Sequence, residues 1–431
     1  MTMGRARADA HACYRAALEA VDPQRLVRRD LEVWGGGLSE DVRLWAIALG
    51  KAASAMLRGA LEGLSGRLYG GLGVTVHGAS DPRLPAIRWV EGGHPLPDEG
   101  SVAGGRSLAR FVGELGPRDR VIGMLSGGAS ACLCHPVEGV TLAEIVRLTA
   151  KLLAAGADVR ELNAVRMRLD GWKDGRLARH LGSALLRTLV LSDVAWDAPG
   201  LVGSGPFGGD AGNLPDAREV LDRYGLAGEA SDAARRALEA ARSEPPPAAS
   251  DPVVLADWRT LRDAAAAEAG RRGWTVEASP GPVRGEARDV GRRLASRLRE
   301  LASRGATGRC LVAAGETIVV VRGPGRGGRN QELVLGAATE LAGLAEVLVA
   351  SLASDGRDGA SPAAGGLADG STAARAAALG VPVASALEAN DSYALLSRLG
   401  DAVETGPTGT NVLDLVLGFV GPREYRLPPA R

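Results

Sequence analysis

Histidine and cysteine are both scarce in this 431-residue chain, with five of the first and four of the second. Cys13, Cys132, Cys134 and Cys310 are too few for a disulfide scaffold. Cys132 and Cys134 alternate within an apolar stretch, which is a pattern of packing, not of pairing. The expectation is a reduced, cytoplasmic protein. So little histidine, and no thiol in a reactive context, makes His-based hydrolysis and thiol catalysis poor readings. Aromatic residues are only 3% of the chain, a bias of the kind a GC-rich genome imposes, and it says little about function. No apolar run approaches the ~20 residues of a membrane span, so no membrane association is expected. Excess charge is missing too: 51 Lys and Arg balance 51 Asp and Glu. No overall field draws the chain to nucleic acid, and the expected partner is a small molecule whose charge a local site must meet. The start, "MTMGRARADAHACYRAALEAV", carries arginines without the apolar core of a secretory signal and has the spacing of an amphipathic helix.

What the chain does have is length for two cores, 45% hydrophobic residues and 60 glycines. Short apolar runs end in glycine-rich or acidic loops that lead into helical patterns, as in "LWAIALGKAASAMLRGAL", "RVIGMLSGGASACL" and "RTLVLSDVAWDAPG". That is the layout of an α/β fold with its sites at the strand C-terminal ends. "TLAEIVRLTAKLLAAG" predicts a helix opened by a capping box, Thr141 with Glu144, and closed at Gly156. Consecutive prolines in "SEPPPAASDP", residues 243–252, mark a linker. The predicted division is therefore an N-terminal α/β domain over 1–245 and a C-terminal α/β domain over 250–431.

Five loops are candidates for chemistry. "SGGAS" offers Ser126, Gly127, Gly128 and Ser130 after a strand, either as an anion cradle or as a tight turn. Lys51 follows another strand, either as a phosphate-reaching cation or as a surface lysine. Asp193 in "LSDVAWD" is placed to accept a hydroxyl proton or to cap a turn. Asp355 and Asp358 in "SDGRDG" suit Mg²⁺ carried by a nucleotide, with an Asx turn as the plain alternative. Thr408, Gly409 and Asn411 in "TGPTGTN" could hold a carboxylate or a phosphate. With them stands "GPGRGGRNQE", four glycines and two arginines in ten residues, whose entropic cost on folding calls for a reason. Together these residue types suit phosphoryl transfer, where catalysis is mostly positioning and neutralisation of charge.

Eight blocks in order resemble the class II glycerate kinases, the glycerate 2-kinase family whose C-terminal half holds the MOFRL domain: "GGHPLPDEGSVAGG", "LSGGASACL", "LNAVRMRLDGWKDGRLA", "LSDVAWDAPGLVGSGP", "GETIVVVRGPGRGGRNQE", "SDGRDGASPAAGG", "NDSYALLSRLGD" and "TGPTGTNVLDL". The resemblance implies a Rossmann-like N-terminal domain and a smaller C-terminal α/β domain with the MOFRL region over about 308–420 and the active site in the cleft between the two. It implies an ATP- and Mg²⁺-dependent kinase acting on the 2-hydroxyl of D-glycerate or a related small hydroxy acid. The family's catalytic lysine, aspartate and arginine match Lys51, Asp193 and Arg329. Gly327, Gly328 and Asn330 are then expected to close over the transferring group. Departures fall at Ala129, where the family has glycine, at Asp174, and over "FGGDAGNLPD", residues 207–216. Two other classes stay open, a hydroxypyruvate reductase and a non-catalytic binder of sugar acids or nucleotides. The first would need a dinucleotide loop, a strand followed by G-x-G-x-x-G with an acidic residue about 20 positions later.

Overall fold

The computed structural model describes residues 3–39, 41–195, 198–240 and 252–421. The chain divides into two compact units: Asp22–Leu255, and a C-terminal unit made of Ala256–Arg431 together with Met1–Val21. This corrects the predicted start of the first domain. The opening helix, Met3–Ala20, is amphipathic as expected, but it docks on the C-terminal unit. Arg7 donates to Asp401 (2.7 Å) and to Asp369 (2.6 Å), Tyr14 to the Ala353 carbonyl (2.6 Å), and Asp9 accepts from Trp274 Nε1 (2.9 Å). The proline-rich linker of 243–252 lies outside the described residues except for Pro252.

The N-terminal unit is built on a sheet of β1 (Arg43–Leu49), β2 (Leu68–Val76), β3 (Ile87–Gly92), β4 (Asp119–Leu125), β5 (Leu185–Leu191) and β6 (Val253–Ala256), in the order β3-β2-β1-β4-β5-β6. The pairs β1–β2, β2–β3, β1–β4 and β4–β5 are all parallel. Strands covered on both faces read as unbroken apolar runs, and "VIGML", which closes β4, is such a run. β6 is a second correction to the domain limits, since it bonds to the edge of this first sheet. The helix Leu142–Ala154 starts at Thr141, whose side chain accepts from Glu144 N, but the reciprocal half of the capping box is absent. The Glu144 carboxylate accepts instead from Ser231 N (2.7 Å) and Ser231 Oγ (3.0 Å). It thereby ties the helix Asp232–Glu239 to its neighbour.

The C-terminal unit carries β7 (Thr275–Ala278), β8 (Arg309–Gly315), β9 (Val347–Ala353), β10 (Gly365–Asp369), β11 (Ala402–Val403) and β12 (Asp414–Val420), in the order β11-β10-β9-β12-β8-β7. β7 and β8 are parallel, while β12 lies antiparallel between β8 and β9. Its first residue, Asp414, is thus in register with both Gly315 and Ala353, where β8 and β9 end. The apolar run after β8 forms no strand. Ile318, Val320 and Val321 are exposed, and Ile318 makes only an isolated bridge to Glu286.

Candidate active site

The parallel sheet sets the first cluster. The chain leaves β1 for β2 on one side and returns to β4 on the other, so the ends of β1 and β4 form a topological switch point, where ligands bind in open α/β sheets. Both loops there were singled out from sequence. Gly50 has φ +109, and a Cβ on it would lie 2.4 Å from the Ser126 carbonyl oxygen, so only glycine lets the β1 exit press on the β4 exit. Lys51 N donates to Gly127 O (2.9 Å), and Ala52 N donates to Ser126 Oγ (3.0 Å). Ser126 is fully buried and also donates to Leu49 O (3.3 Å), so its hydroxyl stitches the two loops and is not held out to a ligand. Gly128 has φ +86, and the Cγ of Lys51 and the Cδ2 of His94 lie 3.0 and 3.4 Å from where its Cβ would be. His94 joins Lys51 at this point and was missed as a site residue, although it stands in the "GGHPLPD" block.

Ser130 and Ser204 hydroxyls are 2.9 Å apart, and Ser204 donates to Asn163 Oδ1 (2.6 Å), which leaves Ser130 as donor to Ser204. Ser204 holds φ +61, a strained backbone for serine that three blocks of the sequence meet to hold in place. Asp193, half-buried, lies two residues past β5 on the same edge of the sheet as Ser126. The altered positions point inward. The Ala129 methyl is buried, 2.8 Å from where a Cβ on Gly203 would sit, and Phe207 packs in the core against Gly123. Asp174 takes φ +56 and so fills a left-handed position without glycine.

The second cluster lies within the C-terminal unit. Arg329 opens the helix Arg329–Leu341, and its Nε and Nη2 donate to the two Asp414 oxygens (2.6 and 3.1 Å). Its Nη1 reaches Glu316 at 2.5 Å. Burial works against the charge, but the Asp414 and Glu316 carboxylates outweigh it and raise the guanidinium pKa well above its usual range. Three of five N–H donors are committed in this way, and two remain. The glycine loop finds its reason here. A Cβ on Gly323 would lie 2.4 Å from Ala389 O, one on Gly327 would overlap Ser392 Oγ, and one on Gly328 would overlap Asp358. Asn390 Oδ1 accepts from Arg322 N (2.6 Å) and Gly323 N (2.8 Å). The space each missing side chain leaves is filled by the protein's own segment 389–393 and by Asp358, which corrects the expectation that Gly327 and Gly328 make room for a ligand.

Asn330 and Asp358 need the same correction. Asn330 is buried, with Oδ1 accepting from Ser351 (2.5 Å). Asp358 is buried, and its oxygens accept from Asn330 N (3.1 Å) and Gln331 N (2.8 Å), so it caps the helix and offers no open face to a metal. Burial first and Asp414 second push its pKa up to about 7, against the opposing helix N–H bonds. Asp355, half-buried at the β9 exit, sits beside the 405–411 loop: Thr408 N donates to Asp355 O (3.2 Å) and Thr408 Oγ1 to Ser354 O (2.5 Å). Gly409 is exposed and Asn411 half-buried on that loop. All four thiols are buried, and burial pushes Cys13, Cys132 and Cys134 up to about 12, so none is nucleophilic near neutrality.

Two family models match, a domain of unknown function (DUF4147) over residues 9–239 and the MOFRL family over 309–414. The chain is 38% identical to the D-glycerate 2-kinase of Thermotoga maritima over 94% of its length and 96% of that protein's. The chain belongs to the MOFRL glycerate kinase family. A crystal structure of Thermotoga maritima glycerate kinase superposes with a TM-score of 0.83 at 36% identity, covering 97% of this chain and all of that one. A protein of Agrobacterium vitis named as a candidate hydroxypyruvate reductase is also 37% identical, over 88% of this chain and its own full length.

Proposed function

We propose that this protein transfers the γ-phosphoryl group of ATP, with Mg²⁺, to the 2-hydroxyl of D-glycerate or a closely related small hydroxy acid, giving 2-phosphoglycerate from the first. The observation that carries this reading is the junction of Lys51 with Gly127 and Gly128 at the switch point, in a chain that aligns almost end to end with a D-glycerate 2-kinase. In the step, the substrate oxygen forms a bond to the γ-phosphorus, the bond from that phosphorus to the β,γ-bridging oxygen breaks, and ADP leaves. Asp193 takes the hydroxyl proton. Lys51 offsets charge on the transferring oxygens, as does Arg329 through the N–H groups its carboxylate partners leave over. The donor set fits Mg²⁺ that arrives on a nucleotide: among the described residues no group of three or more His, Cys, Asp or Glu is arranged to hold a metal ion, and Mg²⁺ typically needs only one or two carboxylates beside phosphate oxygens. Asp355 is the carboxylate we assign to it, and the ion supplies neutralisation of phosphate charge.

The test is incubation with ATP, Mg²⁺ and a panel of small 2-hydroxy acids, read by phosphorus NMR. D-glycerate should give 2-phosphoglycerate, and Asp193→Asn should suppress turnover at saturating metal. Absence of any phosphorylated acid would overturn the reading. Oxidation of reduced nicotinamide with hydroxypyruvate would favour a reductase instead, although the β1 exit, "LGKAAS", has one glycine where a dinucleotide loop has three.

A further inference from the structure

We infer that Arg166 holds the carboxylate of the acid substrate. The inference rests on the kinase reading for the class of that substrate. Arg166 lies on the helix Val159–Leu169, one turn after Asn163 and one turn before Asp170. Residues at this spacing share a helix face, and its two neighbours are both engaged by other segments. Asn163 accepts from Ser204, which pairs with Ser130 of the β4 exit loop, and Asn163 Nδ2 donates to Leu201 O (3.2 Å). Asp170 accepts from His135 N (3.0 Å) and is already neutralised by the buried Lys173 at 2.9 Å. The arginine between them is half-buried, and among the described residues its guanidinium has neither a hydrogen bond nor an ion pair.

Other arginines of the chain that are at least half-buried show what is missing. Arg329 has Asp414 and Glu316, Arg288 has Glu332 at 2.9 Å, and Arg176 donates to the carbonyls of Met167 and Asp170. Burial alone acts on Arg166 and lowers its pKa to about 10. A planar five-donor fork with no acceptor from the protein is open to an anion, and a carboxylate meets it with two parallel bonds. Glycerate carries one carboxylate, and the phosphoryl-handling cations already named leave that group without a partner.

Three variants test this, Arg166→Gln, Arg166→Lys and Arg166→Met, with calorimetric titration of D-glycerate in the absence of nucleotide and separate titration of ATP. Arg166→Gln should weaken glycerate binding roughly 10- to 100-fold, the size of a lost charge-assisted bond, and leave ATP affinity within about twofold. In turnover, KM for the acid should rise by the same factor with kcat nearly unchanged, and Arg166→Lys should recover part of the loss. Arg166→Met should melt no lower than the parent, because an unpaired cation is being replaced by an apolar chain, whereas a structural arginine would lower the melting temperature. The inference falls if Arg166→Gln binds glycerate as the parent does, if it loses ATP instead, or if the parent binds no small carboxylate. A parent that binds glycerate through Arg166 but releases no ADP overturns the kinase reading and leaves this one standing.

Discussion

At the strand exits of the N-terminal unit the contacts are made by backbone and hydroxyls: Lys51 N on Gly127 O, Ala52 N on Ser126, Ser130 on Ser204. At those of the C-terminal unit they are made by charges: Arg329 with Asp414 and Glu316, and Asp358 on a helix N-terminus. Both units put glycine-rich loops next to polar residues, and from sequence the two look alike. The difference is what holds each set of loops, backbone and hydroxyl bonds in the first and ion pairs in the second. A matched set mainly holds a loop in shape, since each buried partner would be costly to strand. At the switch point the backbone bonds set Lys51 where open α/β sheets bind their ligands.

The largest expected effect falls at the switch point. Lys51→Ala should lower kcat by on the order of a thousandfold, about 4 kcal/mol of transition-state stabilisation, with an unchanged urea midpoint. A rate within tenfold of the parent would mean that Lys51 is only a surface lysine. On the matched side the balance should invert. Arg329→Ala strands Asp414, which is 4% exposed, and should cost about 3 kcal/mol of stability in addition to activity. Should denaturation leave the midpoint of Arg329→Ala where it was, the carboxylates are not holding the loop.

How far the sequence revealed this division follows from what each feature depends on. β1, β4 and β5 and the loops after them were legible because an apolar run ending in glycine or aspartate is a local pattern. The helix Met3–Ala20 was legible as a helix but not in its destination, because docking depends on Arg7 finding Asp369 and Asp401 over 300 residues away in sequence. β6 was assigned to the wrong unit for the same reason: four residues pair with whichever sheet edge they meet. The glycines of "GPGRGGRNQE" announced a close approach without naming what approaches, and the answer, the segment around Ala389 and Ser392, is some 65 residues further on. Arg166 gave no signal of its own, since an arginine without a counter-ion is recognised only once its neighbours are known to be engaged elsewhere.

A pH series sharpens the comparison at Asp358. Its folded-state pKa of about 7 stands above the ordinary 3.8, so between those values the folded protein keeps a proton that the unfolded chain has released. Stability from this group is fully present below about pH 4, falls as the pH rises towards 7, and is level above that, a loss of roughly 2 to 4 kcal/mol. Asp358→Asn stays neutral throughout, and urea unfolding at pH 4.5, 6 and 7.5 should show that loss reduced by more than half. An equally steep decline in the variant would place the titrating group elsewhere.

The smallest effect is expected where the sequence departs from its family and the structure gives the departure a packing role. Ala129 carries a methyl in place of a family glycine, which would suggest an altered fit to the substrate. In the fold that methyl is 1% exposed and lies against Gly203 beneath the loop. Restoring glycine therefore removes a buried methyl and adds backbone freedom, for about 1 kcal/mol of lost stability. It should leave the ratio of kcat/KM for D-glycerate over a larger 2-hydroxy acid within about threefold, since no atom facing the switch-point loop has changed. Competition kinetics with the two acids would decide it. A tenfold shift in that ratio would put the Ala129 methyl on the substrate side of the loop and would move this position from the matched, self-packed part of the unit to the part left open for a ligand.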